Sequence, residues 1–459
     1  MSTGMNRTSA IDKKQLNRKL RMLAVPIALQ GVVSATLSLV DNLMVGFLGE
    51  TELAAVGVAA QIFMIFHLVN FGMMGGFATF SSQFYGAADK ANIRKVIGLA
   101  MTVLFGTGVL FFAVAMLKTE TIIGFYTKDP AVQELAVQYV RINALSFLLL
   151  GVSGPLEMGF RSTQQTKVPL VVSTVTFSTN TILNYILIFG KFGAPRLGVA
   201  GAAIATVTAR FLEIGINVFC ATRKWNYYYG PIKSFFGWNG ELVKRIIKNA
   251  TPTTVNELLW SLGQTMYVAA FNRIGTTEYA AYQAANIIAN VFSFAGFSIG
   301  DAALIMIGEK LGEGDKDYTW EMSKHILKVG VIMGAIIGGI VMIAAYPMTN
   351  LFNLTPDGKS YAFKILMLIG LTTPISIYGG IHITGTLRGG GDTRFAMLAE
   401  SGCVWLVAVP LAFLGATVWH LPIHWCFILI RIEEVVKGII LTWRYLSKKW
   451  MNTVIRDID

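Results

Sequence analysis

An aspartate stands inside an apolar stretch. In SLVDNLMVGFLGETELAAVGVAA (residues 38–60), Asp41 lies near the end of an apolar run that begins at Met22. An ionised Asp at the centre of a membrane span costs about 2.5–3.5 kcal/mol, less if it faces a wet cavity, binds a cation or is protonated. Asp41 precedes Leu48 by seven residues, about 10 Å inside the end of the span at 1.5 Å rise per residue. A second apolar run supplies companions. In STVTFSTNTILNYIL (173–187), Thr176, Asn180 and Asn184 are spaced i, i+4, i+8, which puts them on one helix face. Asn carbonyl oxygens suit Na+ and can equally share a proton-linked network with a carboxylate. Thr206, in GAAIAT (201–206), adds a hydroxyl. A polar seam that only joins helices uses the same residue types.

Further carboxylates lie in the second half: Glu257 in TPTTVNELLWSLGQTMY (251–267) and Asp301 in SIGDAAL (298–304). Asp392, in the loop LRGGGDTR (387–394), reads as structural, and His382 as a packing residue. Candidate substrate contacts are polar or aromatic groups in apolar surroundings: Gln61, Tyr267, Tyr282, Gln283 and Asn286. With 19 Met and 29 Phe, the chain has the adaptable side chains a broad pocket needs.

These residues must be positioned by membrane helices. Of 459 residues, 54% are hydrophobic and 14% charged, against roughly 25% charged in soluble proteins. The charges cluster, and apolar runs of about 20 residues lie between the clusters, each long enough to span roughly 30 Å of hydrocarbon. Spans are expected near 22–47, 54–84, 95–117, 133–160, 168–190 and 199–222, then near 250–272, 279–308, 325–346, 362–386, 395–417 and 421–443. The first run follows the polar segment IDKKQLNRKLR (11–21) and lacks a small-residue cleavage site, so it reads as a span and not a signal peptide. Lys and Arg gather in the N-terminal segment, in the connection carrying Lys90, Arg94 and Lys95, in the central loop and in the tail. Both termini are therefore expected in the cytoplasm, and the net charge of +12 reflects loop bias, with no nucleic-acid partner. Cys220, Cys403 and Cys426 lie in or at the end of apolar runs and read as buried thiols, with no metal spacing among them.

The chain repeats itself. At an offset of 226, Pro26 falls on Pro252, LGETELAA (48–55) on IGTTEYAA (274–281), and GAADK (86–90) on GEGDK (312–316). At 227, FRSTQQTK (160–167) falls on LRGGGDTR (387–394), matching Arg161 with Arg388. Each copy has an even number of spans, so both insert with the same orientation. Parallel repeats with a midplane site between the halves are a transporter architecture. The copies differ at the chemistry: Tyr267 stands opposite Asp41, and Pro410 opposite Asn184.

VDNLMVGFLGETELAAVGVA, LRGGGDTR and ILNYILIFGKFGAPRLGVAGAAIAT together resemble the multidrug and toxic compound extrusion (MATE) family over roughly residues 15–450. The resemblance implies an all-α membrane protein with twelve transmembrane helices in two pseudo-symmetric six-helix lobes. It implies a secondary active antiporter, not an enzyme, that exports cationic or amphipathic organic compounds in exchange for Na+ or H+, with no other cofactor. It places Asp41 in an N-lobe ion site, joined by Asn180, Asn184 and Thr206. Some branches carry Asp where Asn184 stands. Glu257 resembles the seventh-helix glutamate of one branch, which also uses a carboxylate in the tenth helix, where LIGLTTPISIYGGIHITGTL (368–387) has none.

The expected organisation is a cytoplasmic N-terminal segment (1–21), an N-lobe (22–222), a cytoplasmic linker (223–249), a C-lobe (250–445) and a cytoplasmic tail (446–459), held in the plasma membrane with the lipid bilayer as partner. A flippase for lipid-linked precursors has related architecture, but it is expected to carry a more cationic cavity than the mainly acidic in-span charges here. No HExxH, GxSxG or P-loop supports an enzyme.

Overall fold

The computed structural model describes residues 12–456, and no strand occurs among them. Residues 1–11 of the expected N-terminal segment and 457–459 of the tail lie outside the described residues. Helices α1 (Lys13–Gly46), α2 (Glu50–Gly86) and α3 (Lys90–Tyr126) are followed by α4 (Pro130–Asn143), α5 (Leu145–Ser162), α6 (Lys167–Phe189) and α7 (Gly198–Ala221). After the connecting loop come α8 (Gly240–Phe271), α9 (Thr276–Gly312), α10 (Lys316–Thr349) and α11 (Pro356–Gly380), which runs on as a π-helix (Ile381–Leu387). Then α12 (Thr393–Cys403) and α13 (Val409–Phe413), joined and followed by π-turns, form the continuous run Thr393–Val418, and α14 (Ile423–Leu446) ends the series.

The expected span 133–160 is two helices, α4 and α5, bent by 41°. No proline sits at the break. Ser146 Oγ donates to Asn143 Oδ1 across it at 2.7 Å. Counting each bent or π-interrupted run once, the described residues form twelve rods. Nine are long and apolar enough to cross a membrane by length and composition. Of the others, α8 and α14 carry more polar residues; α14 holds Arg431, Glu433, Glu434 and Lys437. Leu117, Ile343 and Leu406 are more than three-quarters exposed. Such side chains belong in lipid, and the chain is an integral multi-pass membrane protein.

The chain divides into two compact units. One comprises Leu29–Ser81 and Asp89–Ile246; the other comprises residues 12–28, Ser82–Ala88 and residues 247–456. The first half of α1 and the end of α2 thus belong with the C-terminal unit. There, Lys19 forms an ion pair with Glu309, and Asn17 Oδ1 meets His325 Nε2 at 2.7 Å. The tail is packed as well. Trp450 is fully buried, and Gln83 donates to the carbonyls of Gly389 and Asn452 at 3.1 and 3.0 Å.

The repeat is visible atom by atom. Asp89 caps α3 by accepting from Asn92 N at 2.9 Å, and Asp315, 226 residues on, caps α10 by accepting from Tyr318 N at 2.9 Å. The residue before each cap is left-handed, Ala88 at φ 56° and Gly314 at φ 84°. Just before these turns α2 crosses α9 backbone to backbone. A Cβ on Gly86 would lie 1.8 Å from the Glu309 carbonyl oxygen, and one on Gly312 would lie 1.9 Å from that of Gln83. Both pairs obey the offset (312 − 86 = 226; 309 − 83 = 226). Neither backbone oxygen can swing aside, so a methyl forces the helices apart. Gly86→Ala and Gly312→Ala are each expected to destabilise by at least the roughly 1–3 kcal/mol typical of overpacking, read as a lowered unfolding temperature in detergent. Gly106→Ala, which has open space at its Cβ, is the control.

Candidate functional site

In the N-terminal unit, α1, α6 and α7 bring four of the expected residues together. Asn184 Nδ2 donates to Asp41 Oδ1 at 2.5 Å and to Asn180 Oδ1 at 2.9 Å, and Asn180 Nδ2 donates to Thr206 Oγ1 at 3.3 Å. The helix period explains the placement: Thr176, Asn180 and Asn184 all fall on the buried face of α6. Gly201 lets α7 approach closely, since a Cβ there would lie 2.7 Å from the carbonyl of Leu187. Below the polar cluster, Val45, Val56, Ile188, Val199 and Ala202 form an apolar floor.

The cluster has one feature that side chains joined only for packing do not need. Asn180 and Asn184 are almost fully buried, yet Asn184 Oδ1 has no hydrogen-bond partner, and neither has Thr176 Oγ1 one helical turn from Asn180. Buried polar atoms are normally satisfied. Here an unsatisfied carbonyl oxygen sits beside a half-buried carboxylate. Asp41, the two Asn carbonyls and the Thr206 hydroxyl offer only oxygens, the donor set of a hard cation, and the carboxylate can instead take a proton. The charged group acting on Asp41 is Arg210 of α7, and the Tyr139 hydroxyl of α4 lies within reach of Thr206 and Asn143. Tyr139 and Arg210 were not among the expected residues. Arg210 had a legible signal, a charge inside an apolar run; Tyr139 had none.

The remaining expected residues lie elsewhere. Gln61 is exposed on α2 of the N-terminal unit. In the C-terminal unit, Tyr267 and Tyr282 are buried in an apolar core with Phe271, Val404 and Phe427. Gln283 is half-buried and donates to the Tyr279 hydroxyl at 2.8 Å, and Asn286 is half-buried. Glu257 accepts from Arg388 Nη2 at 2.5 Å in a pair whose side chains are 13% and 3% exposed. Beside it, Asn256 Nδ2 donates to Glu400 Oε2 at 2.6 Å, and Lys437 pairs with Glu433 and Glu434 at 2.9 and 3.1 Å. Asp392 accepts from Arg444 Nε at 2.7 Å, and His382 is fully buried against Thr386, Tyr378 and Tyr445.

The MatE family profile matches residues 26–186 and 252–414, one segment per repeat. The chain belongs to the MatE family. Among MatE relatives, it is 22% identical over 443 residues to the probable multidrug resistance protein NorM of Thermotoga maritima, covering 96% of this chain and 94% of that one. It is 24% identical to the multidrug resistance protein MdtK of Yersinia pseudotuberculosis, covering 94% and 96%. In structure it resembles a MOP superfamily transporter from Pyrococcus furiosus with a TM-score of 0.85 at 18% identity, covering 96% and 99%. The fold is the twelve-helix, two-lobe MatE architecture.

Proposed function

We propose that the protein is a secondary active antiporter of the plasma membrane, with both termini cytoplasmic. It exports cationic or amphipathic organic compounds in exchange for Na+ or H+ by alternating access. The observation that carries this reading is the Asp41 cluster: a carboxylate within a span, bonded to a buried amide whose own carbonyl oxygen is unpartnered. The names of the relatives, multidrug resistance proteins, support export of small molecules. Asp41 alternates between an ion-loaded and an empty state, with Asn180, Asn184 and Thr206 supplying the remaining oxygens. Gln61 of the N-terminal unit, and Gln283 and Asn286 of the C-terminal unit, are the polar groups offered to substrate.

The test is ethidium export from liposomes with one ion gradient imposed at a time. A tenfold gradient stores about 1.4 kcal/mol, enough at one-for-one exchange to sustain about a tenfold dye gradient. Uphill dye movement is expected with an inward Na+ or H+ gradient and with no gradient at all it should stop. Dye that only equilibrates under both gradients contradicts antiport.

A further inference from the structure

The segment between α7 and α8, residues 222–239, is fastened to the N-terminal unit yet turns large side chains outward. Tyr228 is fully buried, and its hydroxyl donates to the Leu156 carbonyl of α5 at 3.2 Å. Its ring packs on those of Phe160 and Phe235. Phe235 lies so close to α3 that a Cβ on Gly98 would collide with its carbonyl oxygen. Arg94 Nη1 of α3 donates to the Tyr229 carbonyl at 3.1 Å, and Asn226 Nδ2 donates to the Ala221 carbonyl at 3.0 Å. A segment held at so many points is not a slack tether, and its outward residues are fixed in place. Trp225 is 57% exposed, Ile232 75% and Phe236 53%, and Tyr229 is exposed as well.

The charges of the segment have one sign. Arg223, Lys224 and Lys233 are exposed, and no Asp or Glu occurs in residues 222–239. Among the described residues none of the three forms an ion pair. Exposed rings beside unpaired cations are the composition of a membrane interface, where Trp and Tyr sit at headgroup level and Lys and Arg reach out of the apolar layer.

Helix α7 leads the segment to that level. Phe211, Val218 and Phe219 are exposed along it, spaced i, i+7, i+8 and so on one face, and exposed apolar side chains on a membrane helix face lipid. The Arg223 guanidinium lies over the Phe219 ring, 3.8 Å from its centroid. The lipid-facing stripe therefore runs directly into the first cation of the segment, and Trp225 follows two residues on. An acidic soluble partner would match the charges, but it would not match a patch that continues a lipid-facing stripe.

We propose that residues 222–239 bind anionic phospholipid headgroups. Arg223, Lys224 and Lys233 meet the phosphates, and Trp225, Ile232 and Phe236 enter the boundary with the acyl chains. The apolar side chains set the depth, and the cations select the headgroup. This rests on membrane insertion alone and stands whether or not Asp41 couples an ion.

The experiment uses the full-length protein in vesicles of phosphatidylcholine mixed with phosphatidylglycerol, one of the two brominated on its acyl chains near the headgroup. The Trp225 signal is the fluorescence of wild type less that of Trp225→Phe. Brominated phosphatidylglycerol is expected to quench it preferentially, with a relative affinity over phosphatidylcholine of roughly fivefold for each basic residue engaged. The preference should shrink as salt is raised. Changing Arg223, Lys224 and Lys233 together to Gln should abolish it while quenching by brominated phosphatidylcholine persists. The charge-keeping set Arg223→Lys, Lys224→Arg and Lys233→Arg should retain it. The salt series on wild type makes the same test should the Gln variant not fold. Equal quenching by both lipids in wild type, a preference indifferent to salt, or one that survives the Gln changes overturns the proposal. So does a Trp225 signal that acrylamide quenches and neither brominated lipid reaches, since the segment then faces water and is open to a soluble partner.

Discussion

Asp41→Asn is expected to fold normally and to lose ion-driven export. The substitution keeps the shape of the side chain, and the new amide oxygen can still accept from Asn184 Nδ2, which meets Asp41 Oδ1 at 2.5 Å. It also removes an in-span charge whose insertion costs about 2.5–3.5 kcal/mol, so thermal stability should not fall. On the proposed reading, what disappears is the change of one full charge between ion-loaded and empty states. Conformers of a transporter differ by only a few kcal/mol, and each 1.4 kcal/mol of lost coupling is a tenfold change in their ratio. Uphill export should therefore drop to the leak of protein-free liposomes. Retained gradient-driven export would reduce Asp41 to an interhelical bond partner and turn attention to Glu257 and Asp301.

Breaking the Glu257–Arg388 pair is expected to be strongly destabilising. Arg388 is 3% exposed and its partner 13%. Removing one member of a buried pair leaves the other uncompensated, at a cost of about 3–5 kcal/mol, whereas replacing both with neutral groups is often near neutral. Glu257→Gln should accordingly lower the unfolding temperature sharply, and Glu257→Gln with Arg388→Met should recover most of the loss. Because the double variant restores the fold, its transport activity separates a coupling role for Glu257 from a structural one. Efflux that returns with stability marks the pair as structural. Efflux that stays absent in a stable protein marks Glu257 as part of the ion chemistry.

Much of this was legible before any coordinate. The i, i+4, i+8 spacing of Thr176, Asn180 and Asn184 fixes their shared face by helix geometry alone, and the 226-residue offset lays Asp89 on Asp315, the two residues that cap α3 and α10 in the structure. Pairing across helices was not legible. Glu257 and Arg388 are visible as charges beside apolar runs, but that they meet depends on how α8 packs against the end of the π-helix that follows α11. Tyr267 and Tyr282 read as cleft residues because they are amphipathic, and their burial with Phe271 and Phe427 is a tertiary outcome. The bend between α4 and α5 has no proline to announce it. The assignment of the first half of α1 to the C-terminal unit follows from contacts made by Lys19 and Asn17, polar residues whose partners lie some three hundred positions away.

Binding linkage tests the central claim most directly. If ion and substrate occupancy are coupled through Asp41, each changes the affinity for the other by the same factor. The measurement is equilibrium binding of labelled tetraphenylphosphonium to purified wild-type protein and Asp41→Asn over a series of Na+ concentrations and, separately, of pH values. Wild-type affinity should fall as the coupling ion is added, and Asp41→Asn affinity should be flat along that series. An Asp41→Asn protein that loses affinity along the series as wild type does would contradict the assignment of Asp41 as the coupling site.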